Sequence, residues 1–137
     1  MTSGTRAVLT AVGILLAGGV FFTAVSCNNS TASGGTACTQ TITIDDFVFS
    51  PLNLSAKPGE TVCVVNNDTS AHTVTSESAP DAFDDDGRFD SGLLNAGDDG
   101  SITVPATADA GEVIPYYCDV HLGAMVPPNG SITVSAP

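Results

Sequence analysis

The stretch Tyr116-Tyr117-Cys118-Asp119-Val120-His121-Leu122-Gly123-Ala124-Met125 places a thiolate, an imidazole and a thioether within eight residues. Soft sulfur donors beside an imidazole favour copper, and Cu(I) in particular. One copper geometry uses this set with a second imidazole: two His and a Cys in a plane, and a weak axial Met. The chain has 2 His in all, so the second imidazole has a single candidate, His72. The expected ligands of one copper ion are therefore His72, Cys118, His121 and Met125. A Cys at a strand end points inward, and the chain turns so that His121 and then Met125 come back to the same point. His72 must arrive from a distant segment, so the ion would tie two parts of the chain together.

Plainer readings exist for the same residues. Zinc takes four strong ligands, often in Cys-x-x-Cys and His-x-x-x-His units. Here one Cys and two His converge, and the fourth candidate is a thioether, a poor zinc donor. Covalent c-type haem needs Cys-x-x-Cys-His, which is absent. A chance Cys and His in a packed loop is the remaining alternative.

The elements that must hold these donors read as strands. Gln40–Asp45 alternates polar and apolar residues, as a half-buried strand does. Phe47-Val48-Phe49-Ser50-Pro51 reads as a kink with aromatic anchors, and Leu52–Ala56 as a second short strand. Lys57-Pro58-Gly59-Glu60 is a turn, because Pro fixes φ and Gly permits the reversal. Thr61–Val65 is dense in β-branched residues and predicts a central strand. After the loop Asn66–Ser70, the run Ala71–Thr75 reads as a strand with His72 at its start. Ser101–Val104, Val113–Cys118 and Gly130–Ser135 complete the set. Short strands separated by turn signals, with no helical period and no repeat, predict a sandwich or barrel. Between Ser78 and Asp90 lie Asp81, Asp84, Asp85, Asp86 and Asp90. Their spacing lacks the oxygen alternation of an EF-hand loop, so this insertion is expected to be a solvated, mobile face.

Composition limits the partners. Lys+Arg 3 against Asp+Glu 15 gives a net charge of −12 over 137 residues. From Cys27 onward the cations are Lys57 and Arg88 alone. Such a surface repels nucleic acid and attracts cationic partners such as a basic redox protein. The same acidity would also serve solubility alone.

Residues 1–26 hold one Arg followed by a nearly unbroken apolar run from Ala7 to Val25. This is a secretory signal or a membrane anchor. It ends in Ala24-Val25-Ser26-Cys27, which resembles a lipoprotein processing site and makes Cys27 the candidate lipidated residue. An uncleaved membrane helix and plain secretion are the alternatives, and all three put the domain outside the cytoplasm. Residues 27–38 form an Asn/Ser/Thr/Gly-rich tether, and 39–137 the globular domain. Fully extended, the tether's Asn28-to-Ala37 stretch reaches about 30–35 Å. With Cys118 given to metal and Cys27 to lipid, Cys38 and Cys63 are expected to form a disulfide.

Over roughly residues 40–137 the chain resembles a cupredoxin of the plastocyanin, pseudoazurin and amicyanin group. The likeness rests on Lys57-Pro-Gly-Glu-Thr-Val leading to Asn66-Asn-Asp, then His72-Thr-Val, Phe89-Asp-Ser-Gly, a turn at Gly111, and Tyr116-Tyr-Cys118 with His121 and Met125. It implies an all-β Greek-key β-sandwich of about 7–8 strands. It implies His72, Cys118 and His121 as equatorial ligands of a type 1 copper and Met125 as the axial one. The chain departs from that pattern twice. His121 and Met125 are one residue further apart than in amicyanins and one closer than in plastocyanins. Thr73 stands where those families usually carry Asn, so the bridge between the two ligand loops would fall to the Thr hydroxyl.

The resemblance implies a one-electron carrier, monomeric and not an enzyme, with the exposed edge of His121 facing its partners. An oxidase or nitrite reductase needs a further copper site, and no His is left to build one. A copper-delivery protein is the other alternative, but such proteins use exposed clusters of Met or Cys, and Met is scarce here.

Overall fold

A computed structural model describes residues 37–137. The expected leader, Cys27 and the tether up to residue 36 lie outside the described residues. The described residues form nine strands: β1 (Gln40–Asp45), β2 (Val48–Ser50), β3 (Asn53–Ala56), β4 (Thr61–Asn66), β5 (Thr75–Glu77), β6 (Asp85–Asp90), β7 (Asp99–Thr103), β8 (Val113–Tyr117) and β9 (Asn129–Val134). One sheet has the order β2-β1-β4-β7 and the other β3-β9-β8-β5-β6. The fold is the all-β sandwich expected, with more strands than the expected number. The additions are the three-residue β2, cut from the aromatic kink, and β6.

Alternation decides which side chains face inward. Along β4, Val62, Val64 and Asn66 are buried while Thr61, Cys63 and Val65 lie nearer the surface. Ile42 and Ile44 of β1 and Ile102 of β7 join them from the same sheet. Leu54, Ile114, Ile132 and Val134 face them from the other. Val113 aside, β8 is buried throughout, as a central strand carrying the metal loop should be.

Two expectations need correction. The Ala71–Thr75 segment is not a continuous strand: β5 begins at Thr75, and His72 makes an isolated bridge to Leu94. The cause is local. The N–H of Thr73 donates to the Cys118 sulfur and that of Val74 to Ser91 Oγ, so neither is left for a ladder. The acidic insertion is not simply a solvated face, because Asp85–Asp90 pairs with β5 as β6. Asp86 accepts from Ser76 Oγ and pairs with Arg88. Arg88 also donates to the backbone oxygen of Glu77 and to Glu112, each at 2.9 Å. The carboxylate of Glu77 is fully buried and accepts from the Phe83 N–H and the Asn129 amide.

Tyr116 of β8 packs its ring over Gly130 of β9, and its hydroxyl donates to Leu52 O at 3.0 Å. A Cβ at residue 130 would overlap that fully buried ring. Gly130→Ala should destabilise the domain by about 1–3 kcal/mol. A denaturant midpoint unchanged from wild type would contradict the close approach.

Both tyrosines of the chain lie on β8. Burial pushes the Tyr117 phenol up to about 12, helped by the charge of Asp119, and burial pushes Tyr116 higher still. Unfolded phenols titrate near 10. Between that value and the native one the folded state binds more protons, so stability is intact below pH 10 and falls as pH rises through 12. A tyrosinate absorbance titration of the native domain should therefore show no ionisation step near pH 10; a step there would contradict the burial.

Candidate metal centre

Cys118 follows the last residue of β8, so the buried strand delivers its sulfur to the end of the sandwich. The chain then makes two successive turns. His121 N–H bonds Cys118 O at 3.2 Å, and Ala124 N–H bonds His121 O at 2.9 Å. Gly123 occupies a left-handed conformation (φ 69°) that a side chain resists. The loop is tied down beyond Met125, where Val126 N–H donates to Phe47 O at 2.9 Å. His72 is held by paired backbone bonds to Leu94, each 2.9 Å. The Asn66 amide braces the same loop through Ser70, Leu94 and Asn95 carbonyls.

These turns bring three of the four expected donors together. The Nδ1 atoms of His72 and His121 are 3.2 Å apart, and each lies 3.6 Å from Cys118 Sγ. A triangle with those sides has its centre about 2.0 Å from each corner, close to the bond lengths a first-row metal takes to imidazole and thiolate. A proton could serve only one of the three contacts, whereas one cation serves all three. The fourth residue, Met125, is 2 % exposed and belongs to the same core cluster as Cys118. The ring of Phe47, whose carbonyl anchors Val126, meets both imidazoles edge-on at 5.1 and 4.8 Å. The donors suit one type 1 copper ion: two imidazole nitrogens, one thiolate and one thioether.

The surroundings fix how the donors face. His72 and Cys118 are buried, while His121 is half-buried. Burial holds the His72 imidazole below its ordinary range, partly opposed by its bond to Asp68, and so favours the neutral ring a metal needs. Its Nε2 lies 3.0 Å from Asp68 Oδ2. That carboxylate is depressed to about 2, first by the Phe47 N–H it accepts. The Thr73 N–H donates to Sγ at 3.4 Å. Thr73 Oγ1 accepts the Asp119 N–H at 2.8 Å, so the Thr hydroxyl does bridge the two ligand loops.

Sequence reading passed over Asp68 and the position of Phe47 beside the imidazoles. Asp68 stood four residues before His72 in a loop of polar residues, and its bond to Phe47 spans 21 residues. Cys38 and Cys63 are joined, with Cα atoms 5.5 Å apart, and Cys118 is the free cysteine among the described residues.

The sequence matches the family model described as copper binding proteins, plastocyanin/azurin family, over residues 36–135. Among solved structures, a purple cupredoxin from Nitrosopumilus maritimus is 27% identical, with a TM-score of 0.55 over 70% of this chain and 99% of that one. A variant of amicyanin in its reduced Cu(I) form at pH 4 is 19% identical, with a TM-score of 0.53 over 77% of this chain and 87% of that one. The family match runs from just before Cys38 to just after β9 and encloses all four donors. By that match, the chain belongs to the plastocyanin/azurin family of copper-binding proteins.

Proposed function

We propose that this domain is an extracytoplasmic one-electron carrier. The observation that carries this reading is the donor set: two Nδ1 atoms and a thiolate already converged on one point, with only the His121 edge partly open. Copper held there would supply a Cu(I)/Cu(II) couple. The chain's part is to keep the donors in place through the redox change. Paired backbone bonds hold His72, two turns hold His121, and the Thr73 N–H steadies the sulfur. Buried walls exclude water from His72 and Cys118.

His121 is the exit. Exposed Val120, Leu122 and Val126 give the surrounding loop an apolar rim at 48%, 59% and 69% exposure. An apolar contact next to a strongly acidic body suits brief docking of a basic redox protein. The disulfide favours an oxidising compartment, and on the sequence reading the N-terminal segment would serve as a lipoprotein signal ending at Cys27, an uncleaved membrane anchor or a cleaved secretory signal. Mass spectrometry of the mature N-terminus separates the three.

Cu(II) added to the apo-domain should give an intense visible band that ascorbate bleaches and an oxidant restores. A colourless product that surrenders copper to a chelator would support delivery instead. Transfer to a basic redox protein should slow steeply as salt rises. Met125→Leu preserves volume and should keep copper. Cu(I) is satisfied by three donors whereas Cu(II) gains more from a fourth, so without the axial thioether the Cu(II)/Cu(I) affinity ratio should fall on the order of tenfold, raising the potential by about 59 mV. Voltammetry of the variant checks this, and an unchanged potential would remove Met125 from the ligand set.

A further inference from the structure

Asp68 makes more bonds to the metal centre's framework than any one donor's position requires. It is 8% exposed, with both carboxylate oxygens engaged. Oδ1 accepts the N–H of Thr69 at 2.6 Å and of Ser70 at 3.3 Å. Oδ2 accepts the Phe47 N–H at 2.9 Å and lies 3.0 Å from His72 Nε2. The Asp68 N–H donates to Asn66 Oδ1 at 3.0 Å, so the carboxylate's own backbone is braced as well.

Its hold on Phe47 extends to the rest of the site. Phe47 sits at φ 59°, a left-handed conformation costly for a bulky residue. Two bonds keep it there: its N–H to Asp68 and its carbonyl to Val126 N–H. In that conformation its ring wedges against both imidazoles, at interplanar angles of 82° and 69°. One carboxylate thus touches His72 directly, backs His121 through the Phe47 ring, and reaches the residue after Met125 through the Phe47 carbonyl.

We infer that Asp68 is a positioning residue that sets the reduction potential, by fixing His72 as the Nε2–H tautomer and biasing the centre toward Cu(II). With Nδ1 turned to the sulfur, Nε2 carries the proton and donates it to Asp68. A carboxylate on the far nitrogen of a ligating imidazole fixes its orientation and raises its basicity. Cu(II) carries one more positive charge than Cu(I), so the negative charge behind the ring favours it. This inference rests on the one-electron reading.

Asp68→Asn keeps shape and one accepting oxygen, removes the charge, and turns an NH2 toward the N–H groups that the second oxygen accepts. Changes of this kind cost about 10–100-fold in metal affinity. The loss should fall on Cu(II) and hardly on Cu(I). The affinity ratio then drops tenfold to a hundredfold, which raises the potential by about 59–118 mV at 59 mV per tenfold. The visible band should persist, since no donor is changed. Cu(I) and Cu(II) affinities by competition titration, with voltammetry, read the ratio directly. A ratio within twofold of wild type overturns the inference while leaving the one-electron reading intact. Wild-type protein that takes no copper, or shows no reversible couple, overturns that reading instead. Should Asp68→Asn fail to fold, nitrogen-15 NMR of the wild-type Cu(I) form decides. His72 Nε2 must carry a proton protected from exchange, and a bare or rapidly exchanging Nε2 overturns the assignment.

Discussion

Cys118→Ser is expected to leave a folded domain that no longer turns blue with Cu(II). Cys118 is 1% exposed, and its sulfur takes the Thr73 N–H while lying 3.6 Å from both imidazole nitrogens. A Ser hydroxyl can accept the same N–H, so the loops lose little that holds them. What disappears is the soft anionic donor. A neutral hydroxyl is a hard, weak ligand that also reaches less far toward the centre, and Cu(I) suffers most because it prefers sulfur. The affinity loss should exceed the roughly 10–100-fold that changes outside the ligand set cost. Visible absorption of the Cu(II)-loaded variant is the direct measurement. An unchanged band would mean that the colour arises from another sulfur, and the ligand assignment would fail. Circular dichroism of the same sample should keep the strand signature, which separates loss of a ligand from loss of the fold.

How much of this was legible depended on the distance over which each feature is specified. The donors Cys118, His121 and Met125 stood out because they lie on one short loop, and His72 because it is the other His of the chain. Strands β1 and β4 declared themselves through alternation, which the sandwich imposes residue by residue. β6 did not, because Asp85, Asp86 and Asp90 read together as a solvated face, although Asp86 turns inward to the Ser76 hydroxyl. What makes it a strand is pairing with β5 and the bonds of Arg88 to Glu77 and Glu112, residues 11 and 24 positions away. His72 looked like the start of a strand because Thr73, Val74 and Thr75 are β-branched. The N–H groups of Thr73 and Val74 were needed elsewhere, and no propensity records that Thr73's goes to a sulfur 45 residues on. Asp68 and Phe47 were hidden for the same reason. A carboxylate in a polar loop reads as a turn residue until its distant acceptor role is visible. The functional loop was therefore readable from composition and spacing, while the framework behind it was not.

The second large effect concerns stability rather than copper. Cys63 lies on β4, where alternation turns it away from the core, and Cys38 lies just before β1, which runs parallel to β4. Their bridge closes a loop with a sequence separation of 25, tying the two strands where their pairing starts. In the chain-entropy account a loop of that size is worth about 3.5 kcal/mol. Because Cys63 faces outward, replacing both residues by Ala opens no core cavity and leaves the cross-link as the term removed. The double variant Cys38→Ala with Cys63→Ala should lose roughly 3 kcal/mol, a fall of about 12–24 °C in melting temperature for a domain of this size. Changing both avoids leaving a lone thiol that could compete for copper. Thermal unfolding of the copper-free forms gives the comparison, and wild type treated with reductant should move toward the variant. Below its melting temperature the variant should still give the wild-type visible spectrum, since no donor and no bond of Asp68 or Thr73 is touched. A loss below about 1 kcal/mol would mean that the unfolded chain is already compact enough for the bridge to constrain little. A changed spectrum would mean that the head of β1 communicates with the ligand loops, for which the backbone bond from Asn67 to Ile44 and the Asn66 amide at the end of β4 offer routes.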